Sequence, residues 1–154
     1  MDTTYLLLKF LHVLGVIAWV GGLLALVVLN ARMAREGNGA VLATLGRQSG
    51  FFGRVVLGPA MAVTLLAGLA TAGMARFPFT TLWIVWGLVG FIVSIAVGVI
   101  AVPRAAGELE TVARGVAPDD PRLAGPRNRL FALNAINLLL LASIVWAMVF
   151  KPTL

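Results

Sequence analysis

Four stretches of this chain constrain its fold more than any other feature. About Thr3 to Leu29, Phe52 to Ala75, Thr80 to Val102 and Leu130 to Phe150 are each apolar over the roughly 20 residues that a helix needs to cross a bilayer. Lipid offers no partner to an unpaired backbone N–H or C=O, so each stretch must be helical. Charged residues make up 12% of the 154 and hydrophobic ones 60%, where a soluble domain is about 25% charged. The expected fold is therefore an all-α membrane protein, a single domain over residues 1–154, built as an antiparallel bundle of four transmembrane helices. The first stretch opens with an acid, Asp2, and no base. It is also longer than the apolar core of a signal peptide, so it reads as a permanent helix.

The net charge of +6 is sorted by side. Arg32, Arg35, Arg47 and Arg54 lie between the first two spans, and Arg104, Arg114, Arg122, Arg127 and Arg129 between the last two. Only Lys9, Arg76 and Lys151 lie at the other ends. The positive-inside rule then puts both long loops in the cytoplasm and both termini outside a bacterial inner membrane. The basic balance is thus topological, with some attraction to anionic headgroups, and no nucleic-acid partner is expected. Tyr5, Phe77, Phe79, Trp83, Trp146 and Phe150 fall near the outer ends of their spans, where an interfacial belt belongs. The outer turn around Arg76–Phe79 is short, which predicts a tight hairpin of spans two and three. The first long loop has helical patches broken at Gly37–Gly39. The second begins as a helical extension of span three and ends in a connector where Asp120 and Pro121 cap a short helix.

Apolar side chains gain little by leaving lipid for one another, so small residues mark the helix interfaces. Span three repeats Gly90, Ser94 and Gly98; span two has Gly68 and Ala72 with Thr64 and Thr71 nearby; span one has Ala18 and Gly22. Pro59, near the start of span two, either occupies the first turn or kinks the helix. Asn134 and Asn137, one turn apart in span four, read either as interhelical hydrogen bonds or as the lining of a polar path.

The one histidine, His12, lies inside the first span. Tyr5, Lys9, His12 and Trp19 fall close to one helix face. His12 sits on the order of 10 Å below the outer edge of the hydrocarbon, at about 1.5 Å per residue. Lys9 is one turn shallower, so its stem can lift the ammonium to the headgroups. A neutral imidazole offers one donor nitrogen and one lone pair. Inside a membrane it either bonds a carbonyl or hydroxyl of a neighbouring helix or ligates a metal or haem. Counting inward from each outer end puts Gly68, Gly87 and Ser143 at the depth of His12. Two glycines and a serine around an imidazole leave room for a flat group such as a porphyrin. Lys9 and Arg76, above that level, are placed to pair with its propionates.

The run "LHVLGVIAWVGGLLAL" (residues 11–26) resembles the first helix of the copper-resistance protein D family, with His, six residues, then Trp-x-Gly-Gly. "LKFLH" followed by Trp19 and Gly22 is similar to the opening of the HemJ-type protoporphyrinogen oxidases. A resemblance over nearly the whole chain is to an uncharacterised group of bacterial four-helix integral membrane proteins in the same broad clan. It rests on this opening, the Arg-rich first loop, the early proline of span two and the close "WAMVFKP" (residues 146–152). The HemJ-type resemblance implies haem b on a first-helix histidine, which corresponds to His12. That family also carries a Pro-Arg pair and a further lysine; the matching stretch here reads "VVLNAR", and no lysine lies between Lys9 and Lys151. The copper-resistance resemblance implies movement of copper. Met and His suit Cu(I), but Met74 and Met148 lie shallower than His12 and Met61 lies near mid-membrane.

Three functions stand open on these residues. One is a haem b protein of electron transfer or haem-linked oxidation, with His12 as ligand and the iron five-coordinate, held by a weaker sixth ligand such as a methionine, or shared between two chains of a homo-oligomer. The second is a copper or small-solute transport component lined by Asn134, Asn137, Thr64, Thr71 and Ser94. The third is a structural or accessory subunit without a ligand. Glu36, Glu108, Glu110, Asp119 and Asp120 all lie in the long loops, so no carboxylate relay runs through the spans. With no cysteine in the chain, disulfides, thiolate metal sites and iron–sulfur clusters are excluded.

Overall fold

The structure, a computed structural model, describes residues 2–35, 48, 50–117 and 120–152. The Gly37–Gly39 break lies outside the described residues, which contain helices and turns and no strand. Helix α1 runs Thr3–Arg35. A π-helical stretch, Gly53–Leu57, leads into α2, Gly58–Met74. Helix α3, Leu82–Ile95, passes through a second π-helical stretch, Ala96–Ala101, into α4, Val102–Ala113. A 3-10 turn, Pro121–Leu123, opens α5, Ala124–Phe150. Among the described residues, four helical segments are long and apolar enough to cross a bilayer: Thr3–Arg32, Gly50–Met74, Leu82–Ala113 and Pro121–Phe150.

The chain alternates direction, so both termini and the turn between spans two and three share one end, called here the terminal end. Lys151 Nζ lies there, 5.1 Å from the centroid of Phe77 and 5.5 Å from that of Trp83. The opposite, loop end extends well past a bilayer's thickness. Span three has 32 residues, or roughly 48 Å of helix against about 30 Å of hydrocarbon. Its last turns pack against the start of α5 through Ala105, Leu109 and Leu123, all buried, and an Arg129–Glu108 ion pair of 2.8 Å joins the two exposed sides. The Asp120 side chain accepts from the Arg122 backbone N–H at 2.8 Å, the capping expected of the Asp-Pro pair.

The bundle is inside-out relative to a soluble core. Leucine, valine and isoleucine side chains such as Ile17, Leu66, Ile92 and Leu139 face outward, while Thr64, Ser94, Asn134 and Asn137 are buried. Small residues set the pairings, because only they let helices approach closely in lipid. On α1, Gly15 lies against Thr64 and Ala60, and Gly22 against Leu57 and Phe52. On α3, Gly87 lies against Met148 and Gly90 against Ile144 and Leu140. Span one thus zips to span two, and span three to span four.

The expected tight hairpin holds for the turn and not for the helices. No Cα of Gly58–Met74 comes within 8 Å of a Cα of Leu82–Ile95. The small faces of these two spans are already used on spans one and four, and bulky side chains stand between them. Phe77 and Trp83 meet edge to face at 5.3 Å, with Ala72 against that cluster. Deeper in, Trp19 and Phe91 meet at 5.3 Å beside Leu23, Val27, Ala60 and Leu141. The turn itself is closed by Arg76 N–H to Gly73 C=O and Phe77 N–H to Ala72 C=O, 3.0 and 3.1 Å. This is a Schellman ending with Arg76 in the left-handed region, at φ 55°.

Both prolines of the span interiors follow a π-helical stretch by two residues: Pro59 after Gly53–Leu57, and Pro103 after Ala96–Ala101. Proline lacks an N–H and its ring clashes with the carbonyl four residues back. Widening the preceding turn relieves that clash while the helix continues. Pro59 therefore neither starts the span nor breaks it.

Candidate functional site

His12 lies on the inward stripe of α1, in line with Gly15 and Trp19, both buried, and is itself half-buried. Its Nδ1 is 2.7 Å from the backbone oxygen of Thr64 on α2. A carbonyl can only accept, so Nδ1 carries the proton and donates, and in the neutral ring Nε2 keeps the lone pair. The ring rests on Gly68: a Cβ there would stand 2.7 Å from Nδ1 and 2.8 Å from Cε1. One turn further, a Cβ on Gly15 would stand 2.6 Å from Thr64 Oγ1. Histidine and two glycines thus form one close crossing of spans one and two.

The other residues expected at His12's depth have different partners. Gly87 is filled by the Met148 methyl of α5. Ser143 Oγ–H donates to the Leu140 carbonyl at 2.7 Å and accepts from Trp86 Nε1–H at 3.3 Å. Lys9 and Arg76 are exposed. Of the two glycines Gly68 and Gly87, only Gly68 faces the imidazole, and the room it leaves is taken by the imidazole itself. An apolar groove lined by Trp86, Val89, Gly90, Val93 and Leu140 includes neither His12 nor Gly68.

The polar residues expected to line a path are turned to local partners. Thr64 and Thr71 donate to Ala60 and Ala67 carbonyls of their own helix at 2.8 and 2.6 Å. Asn134 donates to the Leu130 carbonyl at 2.9 Å. Asn137 alone reaches across, accepting from Ser94 Oγ–H at 2.6 Å. No group of three or more His, Cys, Asp or Glu side chains able to hold a metal ion occurs among the described residues. Two features escaped sequence reasoning, the π-helical stretches and the Lys151 ammonium over two rings. Pro59 and Pro103 inside apolar runs signalled the first, and Lys151-Pro152 at a helix end the second.

Four membrane-length apolar helices among the described residues define a polytopic integral membrane protein. Residues 6–152 match a family described as "Predicted integral membrane protein (DUF2269)". The chain belongs to that family. No curated protein and no solved structure matches it.

Proposed function

We propose that the protein is an accessory component of a bacterial inner membrane, with both termini outside, in which His12 fastens span one to span two. The observation that carries this reading is the His12 Nδ1–H bond to the Thr64 carbonyl, 2.7 Å long, over the bare face of Gly68. Three further features support it. The glycine notches at Gly68, Gly87 and Gly90 are filled by the chain's own side chains. The span-two hydroxyls are bonded within their own helix. Nine of the 12 basic residues flank the loop end, which by the positive-inside rule is cytoplasmic, and the stalk made by α4 and the start of α5 would project there.

A haem b held among the four helices finds no support in the same residues: Gly68 faces the imidazole and Gly87 the Met148 methyl, where a porphyrin between His12, Gly68, Gly87 and Ser143 would need room beside both. One observation keeps a metal-ligand reading as the alternative. The Nδ1–H bond leaves Nε2 with its lone pair and no partner among the described residues, the arrangement in which metal-bound histidines commonly hold their second nitrogen. In that reading Nε2 would ligate haem iron or copper, with Lys9 and Arg76 as propionate partners, and Gly87 and Ser143 would take no part.

One preparation separates the two. The protein is expressed with haem precursor and copper supplied, purified in detergent, and examined by absorption spectroscopy and metal analysis beside His12→Asn. Asparagine keeps an N–H at the position of Nδ1 but has no imidazole lone pair. The fastening role expects a colourless, copper-free protein and an Asn variant that unfolds near the wild-type midpoint, with His12→Ala well below it. A Soret band or stoichiometric copper that disappears in a folded Asn variant overturns it in favour of the ligand role.

A further inference from the structure

The polar pair in the loop half of the bundle has hydrogen-bonding capacity left over. Ser94 and Asn137 are 2% and 3% exposed, and Ser94 Oγ–H donates to Asn137 Oδ1 at 2.6 Å. The amide's Nδ2 carries two more N–H groups, and no described residue accepts from them. Nδ2 faces Gly98, where a Cβ would lie 3.6 Å away.

Gly98 has the complementary defect. It sits in the π-helical stretch Ala96–Ala101, whose ladder joins the Val102 N–H to the Val97 carbonyl five residues back. The next rung would join the Gly98 carbonyl to residue 103. That residue is Pro103, which has no N–H to give. A side-chain donor and a backbone acceptor are therefore both left over at one glycine, in a stretch where lipid supplies neither partner. They do not bond each other directly.

We propose that this is a binding site for a single water molecule, accepting from Asn137 Nδ2 and donating to the Gly98 carbonyl. A small neutral molecule that both donates and accepts is the one chemistry that satisfies both groups, and buried waters sit where two to four polar groups converge. Reversing the amide does not change the answer, because water would then donate to Oδ1 and to the carbonyl. The site makes solvent a structural part of span three at its widened turn, and it stands apart from His12 and from the role assigned to it.

The test is a rotating-frame cross-relaxation spectrum of full-length protein in lipid bicelles, labelled with 15N-asparagine, with Asn137→Leu identifying the resonance. The Asn137 side-chain protons are expected to show a cross-peak to water, and the one Asn134 proton that bonds the Leu130 carbonyl to show none. Pro103→Ala restores an N–H near the Gly98 carbonyl without touching Asn137, so the cross-peak should weaken or vanish. No water cross-peak in folded wild type, or one unchanged in Pro103→Ala, overturns the proposal. Should Pro103→Ala fail to fold, a crystal structure of the wild type decides: a water within about 3.2 Å of both atoms supports the site, and a direct amide-to-carbonyl bond removes it.

Discussion

Gly68→Ala is the smallest change that tests the crossing of spans one and two. The added methyl would stand 2.7 Å from His12 Nδ1 and 2.8 Å from Cε1. The atoms in the way belong to a rigid ring tied by its 2.7 Å bond to the Thr64 carbonyl, so the ring must swing off and give up that bond. Overpacking of a close interface costs about 1–3 kcal/mol. Interhelical hydrogen bonds in membranes contribute about 0.6 kcal/mol on average and up to about 1.7. The sum is about 2–4 kcal/mol, or roughly 30- to 1,000-fold in the folding equilibrium at about 1.4 kcal/mol per decade. Reversible unfolding by SDS in mixed micelles, followed by tryptophan fluorescence, measures it, since Trp19 is buried one turn beyond the crossing. His12→Ala alone loses the bond, and the double variant should lose little more, because removing the ring removes the clash. The two losses should fall short of additive by at least about 1 kcal/mol, within the range found for residues in contact. Additive losses, or a Gly68→Ala cost under about 0.5 kcal/mol, would show that the imidazole does not seat on this glycine.

Three other outcomes follow from separate parts of the molecule. Arg76 holds φ 55° at the end of α2, a conformation that strains side-chain-bearing residues by about 1–2 kcal/mol, so Arg76→Gly should raise the same unfolding midpoint by about 1 kcal/mol. Lys151→Ala removes the cation from above Phe77 and Trp83, and it should lower stability by about 0.5–1 kcal/mol. Trp83→Leu should abolish part of that difference in the Lys151 pair. Asp120 is held below its usual value, at about 2, by hydrogen bonds from the Arg122 side chain and then from its backbone N–H. A carboxylate lowered in the folded state stabilises above its unfolded pKa and loses that contribution as pH falls through the folded value. The cap on Pro121–Leu123 should therefore be intact at pH 5 and give way only as pH falls through about 2, read from the Arg122 amide resonance, and Asp120→Asn should remove the pH step.

How much of this could be read from the sequence depends on which coordinate is asked for. Span number and helix class follow from composition, because a bilayer permits so few backbones. Depth is easier to count than direction: rise per residue places Gly68 near His12, and the two lie against each other. Azimuth is not. The same count places Gly87 and Ser143 at that depth, yet they face Met148 and Trp86, because counting along a helix gives height and not direction. The small-residue stripes marked contact faces, but not which span each would meet. A short turn suggested that spans two and three pack together. The turn is short, but the faces that could zip them are turned the other way. Of the two readings open for the imidazole, a carbonyl or hydroxyl of a neighbouring helix or a metal or haem, the Nδ1 contact with Thr64 is of the first kind, and which carbonyl it meets depends on how the two helices cross.

These pairings also explain where the helices deviate from regular α geometry. Spans two and three are the two that carry π-helical stretches, Gly53–Leu57 and Ala96–Ala101. They are also the two that leave a wide separation between them. A π turn has a larger radius than an α turn, so it needs a side without a close neighbour. Span one, with Gly15 and Gly22 pressed onto span two, and span four, with Ile144 and Met148 in the notches of span three, have no such slack near their crossings. The prolines fall where the widening can be absorbed, near the loop end, away from the ring cluster of Phe77 and Trp83 that holds the terminal end together. A proline placed in span one near Gly15 could therefore not be relieved by a π turn, and it should break the helix where Pro59 and Pro103 only widen theirs. Amide exchange in the turn preceding the new proline would show the difference: lost protection in span one, retained protection ahead of Pro59 and Pro103.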